Sequence, residues 1–198
     1  MAATKSVLVL PLATLAALVL LAAAASSFPT AESQTSFSTK LPTKTLMKRE
    51  KLTHLHFYWT NVRIGPNATA LIVAPILSNA TFYGTVALND DALTLGPDPD
   101  SSAPAGNARG IYHFPSDTTN FVYEMMYSFA FTYGDYNGSS LSLLGSVRPT
   151  SGTASEVSIA GGTGVFRFAR GYAVVNPFLV DLPRSLVVNE IDVYVSHY

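Results

Sequence analysis

The chain of 198 residues contains no cysteine, which excludes several kinds of chemistry at once. Without thiols there is no disulfide, no thiolate nucleophile, no thiolate zinc site and no cysteine-ligated iron–sulfur cluster. Charged residues are also scarce, at 13% of the sequence against about 25% in an average soluble protein. Twelve basic residues stand against thirteen acidic ones, so there is no basic face for a phosphate backbone. A nucleic-acid binder is therefore excluded, and a content of 48% hydrophobic residues excludes a disordered tail.

Lysine is missing from most of the chain. All the lysines lie at or before Lys51, and the remainder carries six arginines and eleven acidic residues. Because a Schiff base needs a lysine amine, such catalysis is excluded for the part after Lys51. Residues 26–51 combine lysine with Ser, Thr and Pro and predict a flexible polar lead segment. This segment is interpreted as a solvated linker, with a tether to acidic wall polysaccharide as the alternative.

A long apolar run opens the chain. Lys5 precedes an apolar stretch over residues 7–25 that ends in small residues, which is the order of regions in a secretory signal. A transmembrane anchor is the alternative, since about 20 apolar residues span a bilayer, but no basic cluster follows at once. We predict a signal peptide over residues 1–25 and a secreted protein. The N-x-[ST] sequons at Asn67, Asn79 and Asn137 then become candidate glycosylation sites.

Common catalytic and cofactor motifs are absent from the sequence. There is no G-x-S-x-G, no H-E-x-x-H and no Walker loop, and the cluster at residues 161–164 lacks the glycine spacing of a dinucleotide fingerprint. This cluster is interpreted as a tight turn between strands. His54 and His56 share one face of a predicted strand but have no third metal ligand, so we interpret them as surface or interface residues. We expect no metal and no cofactor.

Residues 52–198 read as strands separated by Gly, Pro, Asn, Asp and Ser clusters, with no sustained helical period. The predicted strands are Thr53–Val62, Thr69–Ala74, Phe82–Asp90, Arg109–Phe114, Phe121–Thr132, Ser140–Gly145, Val165–Val175 and Leu186–Ser196. Eight runs with short connections favour antiparallel pairing, and closing the sheet would remove its edges. The predicted fold is an all-β, eight-stranded antiparallel barrel, with a two-sheet sandwich as the alternative.

Alternation along the strands predicts what lines the barrel. In the predicted strand that starts at Thr53, apolar residues share one face with Asn61. In the predicted strand that starts at Phe121, six aromatic or methionine residues share one face. Asp90 follows apolar residues at period two, and Arg170 follows Phe168 in the same way. Buried polar groups need partners. The pattern therefore predicts a mostly apolar cavity with a few polar groups, which is typical of a small-molecule site.

Several ordered motifs resemble the plant dirigent family. They are H-F-Y-W (His56–Trp59), F-Y-G-T-V (Phe82–Val86), N-D-D-A-L-T (Asn89–Thr94), A-R-G-I-Y (Ala108–Tyr112), D-Y-N-G-S (Asp135–Ser139), G-G-T-G-V-F-R-F-A-R-G-Y (Gly161–Tyr172) and V-Y-V-S-H-Y (Val193–Tyr198). The resemblance covers residues 51–198, the whole of the predicted folded part.

The resemblance implies a secreted, glycosylated barrel of the apoplast or cell wall that forms a homodimer or homotrimer. Members of the family guide the coupling of phenoxy radicals, made from monolignols such as coniferyl alcohol, into stereoselective lignans. They have no oxidative centre, so a laccase or peroxidase supplies the radicals. The barrel would act by positioning, because it restricts which faces of two radicals meet.

The family's functional residues carry over to four positions. The resemblance implies Asp90 as a candidate acid or base and Tyr112, Phe168 and Arg170 as substrate-binding residues. Asn61 is a further candidate for substrate binding, although it stands where lignan-forming members carry an aspartate. Ser155 stands where members often carry an arginine, and the acid that some members carry after the preceding L-G has no counterpart after Gly145. These departures bear on acid/base handling in lignan formation.

Three hypotheses follow from the sequence. The first is a dirigent auxiliary that binds phenolic radicals without redox chemistry of its own. The second is an isomerase or cyclase on the same barrel, acting on a closed-shell substrate with Asp90 or Tyr112 as acid or base. The third is a cell-wall lignin or defence factor without tuned stereocontrol.

Overall fold

The computed structural model describes residues 49–198 except 75, 78–80, 117–121, 149–152 and 182, together with residues 38, 40 and 42. Contacts divide the chain into two units, residues 1–42 and residues 43–198, and all described strands belong to the second. The predicted signal peptide and most of the lead segment lie outside the described residues. In the described part, no helix is long and apolar enough to cross a membrane.

Strands dominate the described part of the second unit. In chain order they are β1 (Lys51–Val62), β2 (Ala70–Ala74), β3 (Val86–Thr94), β4 (Pro104–His113), β5 (Tyr123–Phe131), β6 (Ser140–Val147), β7 (Ser155–Thr163), β8 (Arg170–Asp181) and β9 (Leu186–His197). Two short 3₁₀ turns, Gly134–Tyr136 and Gly164–Phe166, precede β6 and β8. The sheet order is β1-β9-β8-β7-β6-β5-β4-β3-β2, and β1 also pairs with β3.

The pairing of β1 with β3 closes the sheet into a barrel. Trp59 pairs with Leu93 on one part of β3, and Leu71 of β2 pairs with Leu88 on the next part. The two strands β1 and β2 therefore lie end to end along β3, interrupted by the loop at residues 63–69. Because β1 and β2 together occupy one strand position, the nine strands form a barrel with eight positions. The predicted eight-stranded antiparallel barrel is confirmed.

Several strand predictions differ from the structure, among them the runs from Phe82 and Arg109, which are observed as Val86–Thr94 and Pro104–His113. The strand β7 was not predicted, although Val157 and Ile159 alternate with Glu156 and Ser158 at the period of a strand with one buried face. The run predicted from Val165 begins as a strand only at residue 170, since residues 164–166 form a 3₁₀ turn.

Aromatic rings fill much of the barrel interior. Phe57 makes edge-to-face contacts with Phe129 and Phe131, at centroid distances of 5.7 Å in both cases. The predicted inward faces of β1 and β5 are confirmed, since Phe57, Trp59, Tyr127 and Phe129 are all buried. We call the end where β1 begins and β9 ends the lower end, and the opposite end the upper end.

Phe166 and Tyr136 stack at the lower end, with ring centroids 5.3 Å apart. His197 lies edge-on to the same Phe166 ring. The interior therefore remains aromatic down to the 3₁₀ turns that precede β6 and β8.

Candidate functional site

A buried carboxylate lies inside the barrel at Asp91, which has 0% of its surface exposed. The indole Nε1 of Trp59 donates to Asp91 Oδ2 over 2.7 Å, and the Asn61 amide donates to Oδ1 over 3.0 Å. The Asn89 amide lies 3.2 and 3.3 Å from the two oxygens. Buried polar groups of this kind are stable only when hydrogen-bonded. These four residues form what we call the Asp91 cluster.

Strand pairing brings the Asp91 cluster together. Pairing of Trp59 with Leu93 and of Thr60 with Ala92 brings the inward Asn61 beside Asp91. On the other side of β3, Asp91 pairs with Ala108 and Asn89 with Gly110. Because these β4 partners have little or no side chain, the polar groups of β3 have room inside the barrel.

Burial raises the pKa of the Asp91 carboxyl above its usual value, because an ionised group loses hydration inside the protein. Hydrogen bonds from Thr69, Trp59, Asn61 and Asn89 favour the ionised form and partly oppose this rise. A carboxyl with a raised pKa and several hydrogen-bond partners can hold a proton and pass it to a bound group. A buried carboxyl with a perturbed pKa is a candidate for a functional site.

Three tyrosines lie near the Asp91 cluster. Tyr127 contacts the Trp59 ring at a centroid distance of 4.9 Å, and Tyr112 lies 5.4 Å from Tyr123. Burial raises the pKa of all three phenols, and the charge of Asp91 adds to the rise. The Arg63 guanidinium partly opposes this for Tyr112 and Tyr123. All three phenols therefore keep their protons at neutral pH and can act as hydrogen-bond donors.

Two polar atoms of this region have unused hydrogen-bonding capacity. The Tyr127 hydroxyl and Asn89 Oδ1 are buried and have no hydrogen-bond partner among the described residues. An unpaired buried donor or acceptor costs about 1–3 kcal/mol, so such groups call for an explanation. A hydroxyl group of a bound molecule would accept from the Tyr127 hydroxyl or donate to Asn89 Oδ1.

Asp90 does not lie where the sequence predicted. Its side chain is 60% exposed on the outer wall and accepts a hydrogen bond from Arg109 Nε over 3.0 Å. The inward placement of Asp90 is therefore wrong. A change of one residue along a strand moves a side chain to the opposite face, and in β3 the inward residues are Ala87, Asn89, Asp91 and Leu93.

Arg170 and Phe168 are likewise outside the interior. The Arg170 side chain is 65% exposed and forms an ion pair with Glu50. Phe168 is 48% exposed in the turn before β8, with a φ of +63°. The predicted alternation fails for both residues, because the chain is not yet a strand at Phe168.

The structure brings Asn61 and Tyr112 of the predicted site together near Asp91. Asn61 is buried, and Tyr112 is partly buried against the core. Ser155, where the resemblance implied an arginine, is buried, and its hydroxyl accepts a hydrogen bond from the Arg148 backbone N–H. The candidate glycosylation sites Asn67 and Asn137 are exposed, whereas Asn79 lies outside the described residues.

Sequence reasoning missed Asp91, Asn89 and the role of Trp59 as a hydrogen-bond donor. A usable signal was present in β4, where Ala108 and Gly110 sit opposite Asp91 and Asn89. Small residues facing a polar pair indicate space on that side of the sheet. Apolar Val86 and Leu88 instead made the wrong face of β3 look buried.

The paired histidines occupy the outer wall, as surface residues. His54 Nε2 lies 2.7 Å from Asp192 Oδ1, and His56 Nε2 lies 3.0 Å from Glu190 Oε1. The described residues contain no group of three or more His, Asp or Glu side chains that could hold a metal.

Comparison with known proteins identifies this architecture. The family model described as Dirigent-like protein matches residues 52–196. The chain belongs to the dirigent family. Among curated dirigent relatives, pterocarpan synthase 1 of Glycine max is 40% identical over 167 residues, covering 83% of this chain and 89% of that protein.

Further dirigent relatives support the assignment. Dirigent protein 1 of Arabidopsis thaliana is 38% identical over 170 residues, covering 84% of this chain and 87% of that protein. The solved pterocarpan synthase dirigent protein GePTS1 is 41% identical, with a TM-score of 0.70, and covers 75% of this chain and 86% of its own. The fold and the sequence motifs of this dirigent barrel therefore agree.

Proposed function

We propose that this dirigent protein closes a ring in a closed-shell phenolic alcohol, with Asp91 as the acid and base. The observation that carries the proposal is the buried Asp91 carboxyl, hydrogen-bonded by Trp59 and Asn61 beside three tyrosines. The similarity to proteins named pterocarpan synthases supports it.

The proposed step conserves atoms and needs no oxidant. Protonated Asp91 gives its proton to the leaving hydroxyl of the substrate, the carbon–oxygen bond breaks and water leaves. A phenol oxygen of the same molecule then forms a new carbon–oxygen bond, and its proton returns to the Asp91 carboxylate. The net change is loss of one water. The barrel wall holds the two reacting groups in one geometry, which determines the stereochemistry.

Access to Asp91 runs past the tyrosines in this proposal. Asp91 has no exposed surface, whereas Tyr112 and Tyr123 are only partly buried. A substrate ring would pack among these phenols, and the free Tyr127 hydroxyl would donate to a substrate oxygen. Enclosure of this kind also keeps bulk water from adding to the substrate carbon after its hydroxyl has left.

The second candidate function is stereoselective coupling of monolignol phenoxy radicals to lignans, with radicals supplied by a laccase or peroxidase. The aromatic surroundings of Tyr112, Tyr123 and Trp59 favour it, since planar phenols pack well against such rings. In this case the barrel acts by positioning, and the proton of Asp91 is not essential to the bond-forming step.

One pair of assays separates the candidates. Purified protein is given a racemic phenolic alcohol that can close to a pterocarpan ring, without oxidant, and separately coniferyl alcohol with laccase. Products are resolved by chiral chromatography. Ring closure faster than the uncatalysed reaction, with enantiomeric excess, supports the proposal.

The Asp91→Asn variant tests the role of the carboxyl. Loss of a general acid or base typically costs about 10²–10⁴-fold in rate, so we expect closure to fall by about a hundredfold or more. Asp90→Asn is the matched control, because the Asp90 carboxyl is on the outer wall, and we expect the ring-closure rate of this variant to be unchanged.

Two outcomes of the wild-type assays would contradict the proposal. Enantiomeric excess only with laccase would support radical coupling. Racemic products in both assays would support a cell-wall or defence factor.

We also propose that the protein is a homo-oligomer. An apolar stripe crosses five strands in register on the outer wall; its members are Leu71, Leu88, Ile111, Met126 and Leu144. We call these residues the outer stripe, and four of them are between 46% and 63% exposed.

Polar rows flank the outer stripe on the same wall. Asp90 pairs with Arg109 on one side, and Glu124 lies beside Ser146 on the other. An apolar patch with a polar rim is typical of a protein–protein interface, and a second copy of this chain offers the same patch. Light scattering after gel filtration measures the assembly; a monomer at micromolar concentration would contradict the proposal.

We further propose secretion to the apoplast or cell wall with glycans at Asn67 and Asn137. The exposure of both asparagines is compatible with modification. Mass spectrometry of the protein purified from plant cell-wall fractions, before and after glycosidase treatment, tests both points. An unmodified protein that retains residues 1–25 would contradict them.

A further inference from the structure

A buried hydroxyl at the upper end of the barrel has no partner, in addition to the two unpaired polar atoms near Asp91. Thr85 is 3% exposed, and its Oγ1 atom has no hydrogen-bond partner among the described residues. The backbone groups of Thr85 are both used, because its N–H donates to Phe82 O and its carbonyl accepts from the Phe114 N–H, each over 3.0 Å. An unpaired buried hydroxyl is costly, so Thr85 Oγ1 calls for an explanation.

Thr85 continues the inward row of β3. Buried residues alternate with more exposed ones from Thr85 through Ala87 and Asn89 to Asp91, and alternate side chains of a strand share one face. The Thr85 hydroxyl therefore lies on the same inner surface as the Asp91 carboxyl. Because a strand rises about 3.3 Å per residue, the two residues are about 20 Å apart along the strand.

Aromatic rings connect the solvent with the interior at this end, where β3 begins and β4 ends. Phe82 is 37% exposed, and its ring centroid lies 5.7 Å from that of Phe114. The Phe114 centroid lies 6.0 Å from that of Tyr112 and 5.9 Å from that of Tyr123. These two tyrosines line the proposed access to Asp91. A planar ring at the upper end would therefore meet an aromatic surface.

Phe82 has an unfavourable backbone conformation at this entrance. Its φ is +56°, in the left-handed region that bulky residues rarely adopt. The ring is partly exposed, so burial of the side chain alone does not account for the strain. Strain at such a position favours a role in ligand binding.

We propose that the upper end binds the outer ring of an elongated phenolic substrate, with this ring against Phe82 and Phe114 and its hydroxyl hydrogen-bonded to Thr85 Oγ1. The outer ring is the one that does not supply the attacking phenol oxygen. The proposal rests on the proposed ring closure, which puts the reacting end of the substrate at Asp91. Side chains and a hydrogen bond at each end shorten the span between Asp91 and Thr85, but a single phenol ring is still too short to fill it.

Two unreactive analogues of the phenolic alcohol test the proposal. In the first analogue, hydrogen replaces the leaving hydroxyl, so that no ring can close. The second analogue also lacks the hydroxyl on the outer ring. Trp59 is the only tryptophan of the sequence and donates to Asp91, so its fluorescence reports binding. We expect wild type to bind the first analogue about three- to tenfold more tightly than the second, the value of one hydrogen bond.

Thr85→Val removes the hydroxyl and nearly keeps the shape of the side chain. We expect this variant to bind both analogues with equal affinity and to keep its melting temperature, because the lost hydroxyl has no partner among the described residues. Thr60→Val is the matched control. Thr60 Oγ1 is also buried and unpaired within the described part of the chain, but Thr60 lies between the inward Trp59 and Asn61 and so belongs to the outer face. This variant should keep the wild-type preference for the first analogue.

Phe82→Gly removes the ring and relieves the backbone strain. We expect both analogues to bind about three- to tenfold more weakly, and the melting temperature checks that the barrel is intact. Equal binding of the two analogues by wild type, a preference that persists in Thr85→Val or is lost in Thr60→Val, or unchanged binding by Phe82→Gly would overturn the proposal. A wild type that shows the expected affinities but closes no ring would contradict the proposed ring closure alone.

Discussion

Two adjacent aspartates of β3 have opposite environments, because successive side chains of a strand point to opposite faces. Asp90 is paired with Arg109 in solvent, whereas Asp91 is enclosed by Trp59, Asn61 and Asn89. Burial raises the pKa of the Asp91 carboxyl. The chemistry of the N-D-D segment therefore depends on which aspartate faces inward.

The raised pKa of Asp91 predicts a pH-dependent stability. The unfolded carboxyl titrates near pH 3.9, and folding raises its pKa. The folded state then binds the proton more tightly than the unfolded state. The titration of Asp91 therefore stabilises the folded state most at pH values below the unfolded pKa. This stabilisation declines as the pH rises through the folded pKa. Denaturant unfolding of wild type and Asp91→Asn at several pH values measures the difference.

The asparagine variant does not titrate at this position, so the difference between the two proteins isolates Asp91. We expect wild type to lose stability relative to the variant from about pH 4 upward. A difference that grows in favour of wild type over the same range would mean that the hydrogen bonds outweigh burial.

Tyr127→Phe removes the hydroxyl that has no partner among the described residues. Because an unpaired buried group is costly, we expect the free energy of unfolding to stay the same or rise by about 1 kcal/mol. If the hydroxyl binds substrate, the ring-closure rate should fall by about tenfold, the value of one hydrogen bond. Exposed Tyr133→Phe is the control. A clear loss of stability would show that Tyr127 has a structural partner.

At the scale of elements, the loops before β6 and β8 are two versions of one turn. Each begins with a glycine at positive φ, Gly134 and Gly164, and each reaches a left-handed residue four positions later. The left-handed positions hold Gly138 and Phe168. The sequence difference between the loops therefore changes the surface that they present while the backbone geometry is kept.

Gly138→Ala measures the energy of the left-handed position without steric effects. A Cβ at Gly138 would meet no atom within 4 Å, so the cost is conformational, about 1–2 kcal/mol. Thermal unfolding checks this value, and the Asn137 sequon is unchanged by the substitution. Gly171→Ala is the contrasting case, because its Cβ would lie 2.0 Å from Tyr194 O. Equal stability of Gly138→Ala and wild type would contradict a conformational cost at this left-handed position.

At the scale of the whole molecule, several strands of the barrel carry apolar residues on both their inner and their outer face. The inner surface holds the aromatic core, and the outer stripe puts Leu88, Met126 and Leu144 in solvent. With few charges in the sequence, such an exposed stripe favours association of copies.

Met126→Lys tests the outer stripe at its centre. Met126 is 55% exposed, so lysine should not disturb the barrel but would put an unpaired charge in the proposed interface. We expect the measured mass to fall to that of a monomer, with ring closure retained at least in part. Leu179→Lys is the control, an exposed leucine outside the stripe. An unchanged mass for Met126→Lys would contradict an interface at this site.

The sequence by itself determined the fold class, the family and the inward faces of β1 and β5. On those strands, large apolar residues alternate with residues that are mostly polar or smaller, so the alternation indicates which face of the strand is buried. The placement of Phe57, Trp59 and Asn61 follows directly. The absence of cysteine and of lysine after residue 51 also limited the chemistry before any coordinates were needed.

Only the tertiary structure decided which face of β3 is inside and what surrounds its carboxylates. Both faces of β3 carry apolar residues, since Val86 and Leu88 belong to an outer wall with its own apolar surface. Local alternation therefore cannot tell Asp90 from Asp91. The distinction comes from pairing with β1 and β4, strands distant in sequence, and burial and hydrogen bonding depend on those long-range contacts.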